Sequence, residues 1–209
     1  MDAAGLARPV LMLVTDRHLA GGQDELVRKV SEAAAGGANV VQLREKDLDD
    51  TELLVLARRL RKAIAGRAKL LVNSRVDVAE AAKADGVHLS ENAPRLACRP
   101  QYGLVGRSVH SLEAAHRAED EGADCVVFGP VFSTRSHPGV SPSGVGALAD
   151  VAGSVRIPVI AIGGITVERV AEVMDAGAAG VAVIRAILGA PSPRTAAEEL
   201  SRELRAKVA

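Results

Sequence analysis

The stretch that decides the fold is Pro158–Ile187, PVIAIGGITVERVAEVMDAGAAGVAVIRAI, which contains two short apolar segments separated by one helical pattern. The segment from Val159 to Ile162 ends at Gly163 and Gly164, and the segment from Val181 to Ile184 repeats this design. A β-branched segment followed by a glycine turn and a helix is typical of a parallel strand that is covered on both faces. We therefore predict two buried strands whose following loops lie side by side.

These two loops are also a candidate anion site. Paired glycines such as Gly163 and Gly164 let backbone N–H groups approach a ligand closely, and a helix N-terminus behind them favours negative charge. Two such loops side by side predict a phosphate site. Alternatively, the glycine pair is only a turn between strand and helix.

The rest of the chain repeats the same unit of strand and helix. The further predicted strands are Leu11–Thr15, Asn39–Arg44, Lys69–Asn73, Gly86–Ser90, Gly103–Ser108 and Asp124–Gly129. Helical patterns cover Asp24–Ala35, Thr51–Ala65, Val76–Ala84, a segment that opens at Ser111, and Thr195–Lys207. A weak connection runs through Pro94 and Pro100, and a long loop runs from Val131 to Ser143.

Eight such strands, each followed by a helix, predict an α/β fold, a single-domain (β/α)₈ barrel over residues 1–209 with a core from about 11 to 207. An open, doubly wound sheet is the alternative, and the absence of GxGxxG after the first strand disfavours it. The barrel places any active site on the loops that follow the carboxyl ends of the strands.

Composition excludes several classes of partner. The 209 residues are 48% hydrophobic, and Lys plus Arg equals Asp plus Glu at 26 each, so we expect a globular domain with no nucleic-acid or membrane partner. Cys98 and Cys125 are isolated, and the N-terminal apolar segment is too short for a signal or membrane span, so we expect a cytoplasmic protein. Apolar helix residues serve either the core or a homodimer interface, and periodicity does not separate the two.

Polar side chains follow the predicted strands at the face where barrels carry their chemistry. They comprise four cations and four neutral groups that form hydrogen bonds: Arg44, Lys46, Arg135 and Arg185, and Asn73, Ser108, Thr134 and Ser136. This set suits an anionic, phosphorylated small molecule. Alternatively, Arg44-Glu45-Lys46 is only a solvated charge cluster.

The sequence resembles the thiamine phosphate synthase superfamily, which includes the thiazole tautomerases of the TenI branch, in the phrases VQLREK, VNSRVDVAEAAKADGVHLS, VGRSVHSLEAA, GADCVVFGPVFSTRSHPG and IPVIAIGGI…GVAVIRAI. The match runs in order from about Leu11 to Ile187. The resemblance implies a (β/α)₈ barrel in thiamine biosynthesis. The synthase joins a pyrimidine diphosphate to a thiazole phosphate with Mg²⁺ and releases pyrophosphate, whereas the tautomerase isomerises a thiazole carboxylate phosphate.

The resemblance also implies two halves of one site. The pyrimidine diphosphate half comprises Gln42, Arg44, Lys46, Asn73 and Ser108, and the thiazole phosphate half comprises Thr134, Ser136, Gly163, Gly164 and Ile184, with Arg185 in place of a serine. The two metal-binding aspartates of the synthase fall at Ser74 and Ala93, and the lysine that contacts the diphosphate is His137. We therefore expect no metal or other cofactor, with Mg²⁺ needed only if the protein is a synthase in which Glu91, Asn92 or another group replaces the aspartates.

The loss of both aspartates favours a metal-independent, TenI-like isomerase of a thiazole phosphate. The catalytic histidine of that branch is Pro130 here, so another histidine must supply the acid/base group that titrates near neutral pH. We rank His137 first, His110 second and His88 third. The alternatives are that His137 is a solvated loop residue, that His110 caps a helix and that His88 is a residue of the barrel wall. The alternatives to the isomerase are a thiamine phosphate synthase and a binder without catalysis.

Overall fold

A computed structural model describes residues 5–96, 103–134 and 139–208 of the chain. Eight parallel strands pair in chain order and close into a barrel, because the first strand also pairs with the eighth. The strands are β1 (Val10–Val14), β2 (Val40–Leu43), β3 (Lys69–Asn73), β4 (Gly86–Leu89), β5 (Leu104–Val109), β6 (Cys125–Phe128), β7 (Val159–Ile162) and β8 (Gly180–Val183). The predicted barrel is therefore confirmed.

Helices surround this barrel. They are α1 (Arg17–Ala20), α2 (Gln23–Ala35), α3 (Asp50–Ile64), α4 (Val76–Ala81), α5 (Leu112–Asp120), α6 (Gly144–Ser154), α7 (Val167–Asp175), α8 (Arg185–Leu188) and α9 (Pro193–Ala206). In the described part of the chain, none of these helices is long and apolar enough to cross a membrane.

Of two expectations about the helices, one lies partly outside the described residues and one needs correction. Residues 90–96, which follow β4, contain no helix, and residues 97–102 of the same connection lie outside the described residues. Helix α4 ends at Ala81 rather than at Ala84, because Lys83 adopts a left-handed conformation with φ of 53° that a helix cannot continue through. The predicted cap at Ser111 is confirmed, since its hydroxyl accepts a hydrogen bond from the Ala114 N–H at 3.1 Å.

Alternation along the strands separates the two faces of the barrel wall. Leu11 and Leu13 of β1 pack outward with the helices, whereas Val10, Met12 and Val14 belong to a second buried cluster inside the barrel. The interior cluster also contains Leu6, Val40, Leu71, Cys125, Val127, Ile160 and Ala182. Near the carboxyl ends of β2 to β5, polar side chains take over these inward positions: Gln42, Asn73, His88 and Ser108. The apolar interior therefore ends in a polar floor at one face of the barrel.

Candidate active site

A cavity of about 810 Å³ opens above this polar floor, at the carboxyl ends of the strands. Its wall brings together nearly all of the residues that the sequence singled out: Gln42, Arg44, Lys46, Asn73, His88, Ser108, His110, Thr134, Gly163, Gly164, Ile184 and Arg185. Arg135, Ser136, His137 and Cys98 lie outside the described residues, so their predicted roles stay predictions. The shared wall makes this cavity the candidate active site.

Two amide side chains are ordered on the floor. The Gln42 Nε2 atom donates to the Asn73 Oδ1 atom at 3.0 Å, and the Asn73 Nδ2 atom donates to the Ser74 hydroxyl at 3.2 Å. Ser74 has a left-handed backbone with φ of 61°, and its N–H donates to the carbonyl of His88 at 2.9 Å. The chain of donors fixes the orientation of both amides.

His88 lies beneath Ser108, with its Nε2 atom 2.9 Å from the serine Oγ atom. It is 1% exposed, and its Nδ1 atom has no hydrogen-bond partner. Gly106 provides the space for this ring, since a Cβ there would lie 2.8 Å from the Nδ1 atom. Burial, with smaller contributions from Arg44 and Arg107, lowers the pKa of His88 to about 4.

The ring is therefore neutral near pH 7, and its one proton has two possible positions. A buried N–H without an acceptor is rarer in proteins than a buried acceptor without a donor, so we infer that the proton sits on Nε2. In that tautomer His88 donates to Ser108, whose own hydroxyl hydrogen is then available to a ligand in the cavity. A pKa of about 4 makes His88 a poor proton shuttle near neutral pH, which weakens its third place among the acid/base candidates.

The pKa of His88 predicts an acid-sensitive fold. Between pH 6.5 and about 4 the unfolded chain takes up a proton at this ring that the folded chain does not, so stability is intact above pH 6.5 and falls as the pH approaches 4. We expect a loss of about 2 kcal/mol in the free energy of unfolding between about pH 7 and about pH 5, measured by urea unfolding. His88→Gln, which retains an N–H donor but does not titrate, should remove this part of the pH dependence. An identical pH dependence in the parent and His88→Gln would contradict the assignment.

The loop after β2 is held by a buried carboxylate. Glu45 is 6% exposed, and its oxygens accept from the Arg17 backbone N–H at 3.1 and 3.2 Å and from the Arg17 guanidinium at 3.3 Å. Arg17 also forms a bidentate pair with Asp47, at 2.5 and 2.6 Å, and this pair holds the pKa of Asp47 well below its usual range. The solvated-cluster alternative is therefore wrong for Glu45, and the anchored loop presents Arg44 and Lys46 to the cavity.

The loop after β7 packs tightly against the loop after β6. The Val131 N–H donates to the Ile162 carbonyl at 2.8 Å, and the Phe132 N–H donates to the Gly163 carbonyl at 3.0 Å. Arg169 stabilises the turn through two contacts. Its guanidinium donates to the Gly164 carbonyl at 2.7 Å and lies 4.4 Å from the centre of the Phe132 ring. A Cβ at residue 163, where φ is 99°, would lie 2.6 Å from the Cα of Pro130. The glycine pair is thus required by both conformation and contact at the cavity wall.

His110 is engaged by a carboxylate that the sequence did not assign to it. The Glu91 Oε2 atom lies 2.7 Å from the His110 Nδ1 atom and accepts from the His110 backbone N–H at 2.7 Å. The imidazole is 59% exposed, and both residues line the cavity. A carboxylate partner orients the ring, so the role of His110 as an acid or base stays a prediction.

Comparisons with known proteins point to one family. The profile described as thiamine monophosphate synthase matches residues 11–187. A putative thiamine-phosphate synthase of Geobacter sulfurreducens is 47% identical over 197 residues, which cover 91% of this chain and 92% of the relative. A thiamine-phosphate synthase of Anaeromyxobacter dehalogenans is 45% identical over 187 residues, covering 87% and 84%. The solved structure of a thiamine phosphate pyrophosphorylase from Pyrococcus furiosus superposes with a TM-score of 0.85 at 37% identity, covering 96% and 97%.

Proposed function

Because the chain belongs to the thiamine monophosphate synthase/TenI family, we propose that it is a thiamine-phosphate synthase, a transferase that joins hydroxymethylpyrimidine diphosphate to a thiazole phosphate and releases pyrophosphate. One observation carries the proposal beyond the names of the relatives. A single cavity is lined by two separate loops that suit an anion, the cationic loop after β2 and the glycine loop after β7. In the barrel, β1 and β8 lie between these two strands. A transferase with two phosphorylated substrates needs both parts, whereas an isomerase of one thiazole phosphate needs only one.

The proposed reaction forms a bond between the thiazole nitrogen and the methylene carbon of the pyrimidine. The bond between that carbon and the diphosphate oxygen breaks, and the leaving diphosphate takes its electron pair. Arg44 and Lys46 stabilise the charge that develops on this leaving group. Backbone N–H groups at Gly163 and Gly164, together with the Thr134 hydroxyl, hold the thiazole phosphate so that its nitrogen faces the carbon. Ser108 donates its hydroxyl hydrogen to the pyrimidine half.

The isomerase that the sequence analysis ranked first gains no support from the relatives described above, all of which are named for the synthase or pyrophosphorylase activity. The histidine of the TenI branch is Pro130 here. Of the described histidines at the cavity, His88 has a pKa of about 4, which is too low for proton transfer near neutral pH. These observations favour the transferase.

The test is an assay with both substrates, in which thiamine phosphate and pyrophosphate are measured together. We expect the two products in equal amounts and no product when either substrate is omitted. Interconversion of thiazole phosphate isomers without release of pyrophosphate would instead identify an isomerase. Binding of thiazole phosphate with no turnover of any kind would identify a binder.

A further inference from the structure

The residues of the cavity do not fit the Mg²⁺ ion that the family implies. Magnesium sites in proteins usually hold the ion through one or two carboxylates together with substrate phosphates. The positions of the two aspartates in the family pattern are Ser74 and Ala93 here. Among the described residues, only Glu45 and Glu91 bring carboxylates to the cavity wall, and no cluster of three metal-binding side chains is present in this part of the chain.

Both carboxylates are already engaged in structural contacts. The side chain of Glu45 is 3% exposed and is held by the backbone and guanidinium of Arg17. Glu91 accepts two hydrogen bonds from His110, and its other oxygen lies 3.9 Å from Arg117. Arg107 further fixes this segment by donating to the carbonyls of Glu91 and Ala93, at 3.2 and 2.9 Å. A metal ion would have to displace these partners from both carboxylates.

The two internal segments that lie outside the described residues contain no carboxylate side chain in their sequence. Residues 97–102 read ACRPQY and residues 135–138 read RSHP, so neither segment contains an aspartate or a glutamate. Arg99 and Arg135 add positive charge instead. The sequence of these two segments therefore offers no carboxylate to replace the aspartates of the family pattern.

Three cations on the cavity wall are not paired within the described part of the chain, whereas the two carboxylates are. No carboxylate of the described residues neutralises these cations. Arg44, Lys46 and Arg185 line the cavity, and their side chains make no hydrogen bond or ion pair with any described residue. Other cavity arginines are engaged, since Arg75 pairs with Asp50 and Arg169 holds Gly164. In a chain with 26 cationic and 26 anionic residues, three cations at one cavity that have no partner within residues 5–96, 103–134 and 139–208 favour an anion as the ligand.

We propose that this cavity binds the diphosphate of its substrate as the metal-free anion, with Arg44, Lys46 and Arg185 supplying the positive charge that Mg²⁺ supplies elsewhere in the family. Arg185, which the resemblance placed in the thiazole phosphate half, is thereby assigned to the diphosphate, because it lines the same cavity as Arg44 and Lys46. Arg185 stands where the family pattern has a serine, so it adds one charge while the two missing aspartates remove two negative charges. His137 stands where the family pattern has a lysine, which removes one positive charge, so the net change relative to that pattern is two charges in the positive direction. Such a site attracts a diphosphate anion and repels a divalent cation. The inference rests on the proposed function, because that function provides the diphosphate.

Calorimetric titration with inorganic pyrophosphate tests the proposal without any catalytic turnover. Binding in EDTA should be at least as tight as binding in excess MgCl₂, since Mg²⁺ bound to pyrophosphate neutralises the charge that the arginines and the lysine recognise. Arg185→Ser should weaken binding in EDTA about 10-fold, the effect of one charge-assisted contact. Arg202→Ala, which removes an exposed arginine on α9 outside the cavity, serves as the matched control. Binding that Mg²⁺ strengthens 10-fold or more would overturn the proposal.

A second experiment restores the missing carboxylates and asks whether pyrophosphate binding then depends on Mg²⁺. The double variant Ser74→Asp with Ala93→Asp restores the carboxylates of the family pattern, and an aspartate tolerates the left-handed backbone at residue 74. We expect pyrophosphate binding to weaken at least 10-fold in EDTA and to recover in MgCl₂. The neutral pair Ser74→Asn with Ala93→Asn has the same shape and should show no metal dependence. A double aspartate variant that behaves as the parent in both buffers would count against the proposal.

The binding experiment and the synthase assay fail independently. If pyrophosphate binds tightly in EDTA but no thiamine phosphate forms under any condition, the proposed function fails and metal-free recognition stands. If thiamine phosphate forms only with Mg²⁺ and pyrophosphate also binds only with Mg²⁺, the proposed function stands and metal-free recognition fails.

Discussion

Gly163→Ala is expected to lower kcat/KM for the thiazole phosphate about 100-fold while the barrel stays folded. Residue 163 has φ of 99°, which a side chain rarely adopts, and the added Cβ would lie 2.6 Å from the Cα of Pro130 and 3.1 Å from the N atom of Val131. The loops after β6 and β7 are joined there by the hydrogen bond from Phe132 to Gly163, so they must separate. That separation moves the N–H donors away from the position of the phosphate. Initial-rate kinetics with each substrate varied in turn measure the effect.

Gly153→Ala is the matched control, because it makes the same chemical change where nothing opposes it. Gly153 lies near the end of α6, and no atom lies within 4 Å of an added Cβ. We expect unchanged kinetics and a small gain in stability, up to about 1 kcal/mol, because alanine favours the helix. If Gly163→Ala retained the kinetics of the parent, the loop after β7 would not be a phosphate site.

The eight strands and the glycine loop could be predicted because their signals are local. A continuous apolar segment before Gly163-Gly164 specifies a buried strand and a turn without reference to any other part of the chain. The strand β7 has the predicted bounds, Val159–Ile162, and β3 has the predicted bounds, Lys69–Asn73. The other strands differ from their predicted bounds by one residue, β4 at one end and the remaining five at both ends, as expected where backbone geometry changes gradually.

The missed features depend on contacts between distant residues or on weak propensity. Arg17 reaches Glu45 across 28 residues, and Glu91 reaches His110 across 19, so neither pair produces a periodic pattern. The Arg17–Glu45 pair could have been sought from the sequence, because Arg17 follows β1, Glu45 follows β2, and the loops after neighbouring strands meet at the same face of a barrel. Helix α6 was missed because three glycines in GVGALADVAGS lower the helical propensity, and packing of Leu148 and Val151 on the barrel outweighs this.

The chemical roles of the histidines were harder to predict than their positions, because these roles depend on contacts between residues that are distant in the sequence. The sequence ranked His88 and His110 by residue type, whereas their surroundings decide what each ring can do. Burial with Arg44 and Arg107 nearby lowers the pKa of His88, and a carboxylate orients His110. Identical side chains one strand apart thus have different chemistry, and only the packed structure separates them.

Arg44→Ala is expected to weaken binding of the pyrimidine diphosphate about 10- to 150-fold, the range of 1.5 to 3 kcal/mol for hydrogen bonds to a charged group. The guanidinium has no partner among the described residues, so its removal breaks no internal ion pair and should leave the fold intact. Arg44→Lys should restore only part of the affinity, because an ammonium group cannot form the bidentate contact of a guanidinium. Arg202→Ala provides the control for the loss of one positive charge.

A second measurement separates loss of this contact from general damage to the cavity. Arg44 lowers the pKa of His88 through its charge, so Arg44→Ala should raise the pKa of His88 above about 4 in an NMR titration of the ring. The pKa should stay below 6.5, because burial is the largest cause of its depression and the alanine variant leaves the ring buried. A raised pKa with unchanged diphosphate affinity would place Arg44 beside the floor of the cavity but remove it from the binding of the diphosphate. A raised pKa with weakened affinity would show that the same guanidinium acts on both the floor and the substrate.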